Sequence, residues 1–83
     1  MIWRAVDDDA LADTAAALVA ELARQPTRAI AAIKQAMRAG MTNSLDRQLD
    51  LERDLQRELG RSHDHAEGVA AFMARRAPRF EGR

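Results

Sequence analysis

Of the side chains able to do chemistry, His63 and His65 are the only histidines in a chain without cysteine. A His-x-His pair can begin a metal site. At a helix start, though, two such side chains diverge, and no third ligand stands at a suitable spacing. The pair reads as a solvated loop beside a helix cap, and no metal site is assigned. Ser44 and Ser62 precede helical runs, where a hydroxyl caps free amides, and no strand-to-helix nucleophile motif surrounds either. Asp46, Asp50, Glu52, Asp54 and Glu58 lie among arginines, the pattern of a solvated helix face rather than of an acid–base pair. Gly60 and Gly68 are isolated, so there is no glycine-rich phosphate loop, and no residue is assigned as catalytic. What remains is the basic, aromatic end, where Phe72 and Phe80 stand among Arg75, Arg76, Arg79 and Arg83. A ring beside guanidinium groups can hold a purine and its phosphates. A core phenylalanine on an amphipathic helix with a charged tail fits the same pattern, as does a helix pair that docks on other subunits.

The elements that must position these residues are helical. The first six residues, with Ile2, Trp3 and Val6, have strand character but no partner strand, so 1–6 reads as a residual extended segment. Asp7-Asp8-Asp9 opens a helix expected over about 8–25, favoured by the positive end of the helix dipole. Leu11, Ala15, Leu18, Val19 and Leu22 form its apolar stripe. Pro26 stops that helix and opens the next, over about 26–39, with Ile30, Ile33, Ala36 and Met37 as its buried face. Gly40 ends it. Thr42 or Ser44 caps a third helix over about 44–60, carrying Leu45, Leu49, Leu55 and Leu59 on one side. Asp64 and Glu67 have the spacing of a capping box for a fourth helix over about 64–76, whose apolar side is Val69, Phe72 and Met73. Gly68 inside that helix costs stability unless something packs closely against it. Pro78 stops the helix, and 77–83 is a tail. The fold class is therefore all-α, with about four short helices.

At 83 residues the chain allows one domain with a marginal core, and without cysteine it lacks disulfides to support it. Self-association is the support left. Thirteen basic and thirteen acidic residues cancel, whereas nucleic-acid binders carry a basic excess, so no nucleic acid is expected as partner. No apolar run is long enough to cross a bilayer and no signal pattern opens the chain. The expectation is a soluble, cytoplasmic protein with no membrane partner.

The run Asp64-His65-Ala66-Glu67-Gly68-Val69-Ala70-Ala71-Phe72-Met73-Ala74-Arg75-Arg76-Ala77-Pro78-Arg79-Phe80-Glu81-Gly82 resembles the closing D-x-x-E-G-x-x-A-F-x-x-[KR]-R-x-P-x-F-x-G of the crotonase superfamily, the enoyl-CoA hydratases and isomerases. Upstream, Met1-Ile2-Trp3, Val6-Asp7-Asp8 and Leu11-Ala12-Asp13-Thr14-Ala15 look like the entry to that family's C-terminal helices. Gln25-Pro26-Thr27, Ile33-Lys34-Gln35-Ala36 and Gln48-Leu49-Asp50-Leu51-Glu52-Arg53-Asp54 are similar to the isomerases of that family that serve phenylacetate degradation. The resemblance implies the C-terminal helical oligomerisation region of the crotonase fold, without its β/α spiral core. Such a chain is a fragment, from an internal start, a truncated gene or a proteolytic cut, and is not catalytically competent alone.

The family's oxyanion-holding amides and proton-moving acids belong to that core, and no residue here matches them. In relatives, the residues matching Phe72 and Arg75 contribute to the adenine end of the coenzyme A site. Arg75 stands where lysine is found, which keeps the charge and changes the geometry. The resemblance thus implies a coenzyme A thioester as substrate of the parent enzyme, with no cofactor held by this chain itself and weak acyl-CoA affinity. It also implies assembly as trimers paired into hexamers, or dimers of the isolated chain by helix exchange. The competing expectation is a free-standing helical protein–protein interaction module without a cofactor.

Overall fold

Four helices follow one another along residues 2–83, the part of the chain described by the computed structural model: α1 (Asp8–Ala23), α2 (Thr27–Gly40), α3 (Leu45–Leu59) and α4 (His63–Met73). Met1, part of the expected extended segment, lies outside the described residues. Ile2 to Asp7 form neither helix nor strand, and no strand occurs among the described residues. The expected all-helical class is what the chain adopts.

The helix ends follow local chemistry. Asp7 occupies the N-cap position of α1 in extended conformation, but its side chain makes no capping bond, leaving Asp8 and Asp9 to favour the dipole. Pro26 precedes α2. Ser44 caps α3, its side chain accepting from the Arg47 amide, so of the two residues expected there it is Ser44 rather than Thr42. The fourth cap differs from expectation. Ser62, not Asp64, accepts from the His65 amide, because Asp64 already lies within the first turn and is engaged elsewhere.

α2 and α3 form an antiparallel hairpin across a short turn, and they are the one helix pair with extensive contact among the described residues. Gln48 stitches it. Its Nε2 donates to the Ala36 carbonyl at 3.0 Å, and its Oε1 accepts from Asn43 Nδ2 at 3.1 Å. Near the other end Arg28 pairs with Glu58. Both partners are largely exposed, so this pair adds little stability.

Burial is where the sequence pattern and the fold part. Only Ala71 among the described hydrophobic residues is buried. Ile33 and Met37, expected on the buried face of α2, are 57% and 65% exposed. Leu45 and Leu49 of α3, and Val69, Phe72 and Met73 of α4, are exposed as well. Periodicity picks out the apolar side of a helix correctly, but no second layer of this chain lies over those sides. The molecule measures 46 × 38 × 18 Å, so its thin dimension is less than two helix diameters of about 10–12 Å. Its radius of gyration is 16.2 Å, against about 12 Å for a compact domain of this length. It exposes 7119 Å², where a folded monomer of 9.2 kDa exposes about 4,900 Å². The chain is one layer of a structure that domains normally build from two.

Candidate functional site

The best-defined polar structure in the molecule joins α4 to the tail that follows it. Asp64, 4% exposed, accepts from the Glu81 amide at 2.7 Å and the Gly82 amide at 2.8 Å, one on each carboxylate oxygen. Its own amide donates to the Arg83 carbonyl at 2.8 Å. One helical turn on, Glu67 accepts a two-pronged fork from Arg76, at 2.7 and 2.9 Å, and a further bond from the Arg79 amide at 2.8 Å. The tail therefore folds back along α4. Phe80 lands on Gly68, where a Cβ would stand 3.6 Å from its ring. Phe80 is the neighbour that packs on this mid-helix glycine, at a distance of ordinary contact that would also admit a Cβ.

The reversal begins at Arg75, which has φ 52° and is the one described non-glycine residue in the left-handed region. The Arg76 amide donates to the Ala71 carbonyl at 3.0 Å and the Arg75 amide to the Phe72 carbonyl at 3.1 Å, the paired bonds of a Schellman ending. Glycine is the usual residue at this position, and a side chain there costs about 1–2 kcal/mol. This ending stops α4 at Met73, three residues short of the expected 76. At the far end of the tail Gly82 has φ 76° and lies against Thr27, tying the tail to the start of α2.

The two residues singled out for coenzyme A, Phe72 and Arg75, sit three positions apart at this helix end, both exposed, with Phe72 at 82%. Phe72 and Phe80 both line an open, mostly apolar groove of about 440 Å³ between α4 and the hairpin, together with Leu59, Gly68 and Val69. Arg75 does not line the groove. His63 and His65 are not gathered with other ligands: His63 Nδ1 stands 3.4 Å from Asp64 Oδ1. No group of three or more potential metal ligands occurs among the described residues. Asp64, Glu67 and Phe80, all inside the motif, carry architecture that a capping-box reading missed. The signal was the pairing of two acids one turn apart with basic residues beyond the helix.

Hydrogen bonding to the charged form sets the electrostatics. The Arg76 fork, then the Arg79 amide, hold the Glu67 carboxyl at about 2, below its ordinary 4.5. The Glu81 amide, opposed by burial and helped by the Gly82 amide, lowers the Asp64 carboxyl too. A carboxyl depressed on docking stabilises the docked tail fully above its ordinary value and loses that contribution as pH falls through the depressed one. The tail should accordingly loosen as pH drops from 4.5 towards 2. Amide exchange across a pH series tests this: protection at Arg79, whose amide Glu67 accepts, should fall in that window. Protection that stays constant to pH 2 would contradict it.

The family model described as enoyl-CoA hydratase/isomerase matches residues 1–83. The 1,2-epoxyphenylacetyl-CoA isomerase of Escherichia coli (strain K12) is 58% identical over all of this chain, which covers 32% of that relative. The "Probable enoyl-CoA hydratase" of Rhodobacter capsulatus is 49% identical over the same span, again 32% of its length. A crystal structure assigned to an enoyl-CoA hydratase/isomerase of Mycobacterium abscessus superposes with a TM-score of 0.90 at 37% identity. That match covers 94% of this chain and 30% of the other. The chain thus spans about a third of the length of the curated relatives it matches.

Proposed function

This chain belongs to the enoyl-CoA hydratase/isomerase family, and from that premise we propose that it is the assembly and coenzyme-A-contacting region of an epoxyphenylacetyl-CoA isomerase. Phe72 supplies a face for the adenine ring, and Arg75 a guanidinium for the phosphates beside it. The exposed sides of α1 to α4 pack on neighbouring subunits and on a catalytic core that carries the isomerase chemistry. By itself the chain holds acyl-CoA weakly and turns nothing over.

One observation carries the coenzyme A reading: an arginine occupies the left-handed position at the end of α4, next to an exposed phenylalanine. Glycine would serve that backbone better, which supports a role for the side chain that stands there. The 58% identity to a named epoxyphenylacetyl-CoA isomerase supports the finer choice of reaction.

Titration of the chain with coenzyme A, with adenosine 3′,5′-bisphosphate and with pantetheine tests it. The first two should shift the Phe72 and Arg75 resonances saturably, and pantetheine, which lacks the nucleotide, should not. Arg75→Glu should weaken coenzyme A binding by about tenfold or more, the scale of a lost charge-assisted hydrogen bond. No saturable shift with any of the three would favour a helical interaction module that binds no cofactor.

A further inference from the structure

The geometry points to Glu67 as a positioning residue for Arg75: its carboxylate clamps the turn that holds Arg75 left-handed and so fixes where that side chain leaves the helix end. The inference rests on the reading of Arg75 as a coenzyme A contact. Strained backbone persists only where the surroundings over-determine it. At Arg75 they do so from both sides. On its N-terminal side the Arg75 and Arg76 amides are tied to Phe72 and Ala71. On its C-terminal side Arg76 reaches back to Glu67 through both guanidinium prongs, and the Arg79 amide joins the same carboxylate.

The clamp and the left-handed turn require each other. Were α4 to continue as a helix, Arg76 would stand about 13.5 Å along the axis from Glu67, out of reach of the fork. The Arg79 amide would be farther still. Only a reversal at Arg75 brings both donors to one carboxylate, whose side chain is 16% exposed. Breaking the fork therefore removes one of the restraints that oppose the ordinary right-handed conformation at Arg75, the one that reaches it from the C-terminal side through a side chain. Asp64 holds the outer part of the tail through Glu81 and Gly82 and does not touch this turn.

A clamp of this kind makes a prediction that simple tail docking does not. Glycine at position 75 adopts the left-handed conformation without penalty, so it should make Glu67 dispensable for the turn. Amide exchange at Arg76, whose N–H closes the turn on Ala71, reads this directly. Glu67→Gln should speed that exchange about tenfold, the scale of the left-handed penalty for a side chain. In an Arg75→Gly background the same change should have little effect. Glu67→Gln should also weaken coenzyme A binding when Arg75 is present and leave the residual binding of the Arg75→Gly chain unchanged. Equal acceleration in both backgrounds would overturn the proposal and leave Glu67 a tail-docking residue. Should Glu67→Gln not fold, Arg76→Lys, which keeps the charge and removes the fork, gives the same comparison. Failure of coenzyme A to bind the unsubstituted chain would sink the reading of Arg75 as a contact, while the exchange arm still decides whether Glu67 holds the turn.

Discussion

Asp64→Asn should release the last residues of the chain while its four helices persist. Asp64 is 4% exposed, and its two oxygens take the Glu81 and Gly82 amides separately. Asparagine offers one oxygen and sets an N–H₂ group against the other amide, donor facing donor. A buried donor left without its partner costs more than an average hydrogen bond contributes. Exchange at Glu81 and Gly82 should then quicken on the order of a hundredfold. The break should fall beyond Arg79, because Glu67 holds Arg76 and Arg79 independently. Phe80 should leave Gly68, and Gly82 should leave Thr27. Loss of these contacts would also remove one tie between the end of the chain and the start of α2. Unchanged exchange at both amides would show that Asp64 is not the latch.

The second large effect concerns the whole layer. The chain exposes 7119 Å², roughly 2,200 Å² more than a folded monomer of its mass. A standard specific interface buries about 600–1,000 Å² on each partner, so the surplus is more than twice what one standard interface covers. Much of it is apolar: Leu11, Val19, Ile33, Met37, Leu45, Leu49, Phe72 and Met73 are each more than half exposed. Exposed apolar surface on this scale favours association. A second copy is the occupant available to the isolated chain, and its concentration should then govern stability. Helix content should rise with concentration, and melting should shift upward with it.

The helices were legible in the sequence because their signals are local. Alanine and leucine runs, Pro26, Ser44 and the apolar repeat each act within a turn or two. The glycine at 68 pointed to a neighbour, and Phe80 packs on it, though at ordinary contact distance. What covers the apolar sides was not legible, because periodicity records the side and not its partner. The end of α4 was misplaced for a related reason. Ala74-Arg75-Arg76 favours continued helix, and the reversal there is enforced by Glu67, nine residues back from Arg76. Asp64 and Glu67 have the spacing of a cap, yet that spacing also puts two acids on adjacent turns facing the tail. Local pattern cannot separate those uses. No described helix is long and apolar enough to cross a membrane.

Sedimentation velocity with parallel circular dichroism, over a micromolar concentration series, tests most directly whether this is a layer that requires a covering partner. The account predicts helical species heavier than 9.2 kDa, growing in population with concentration, with helicity lost on dilution. A fully helical, monodisperse 9.2 kDa monomer at every concentration would contradict it.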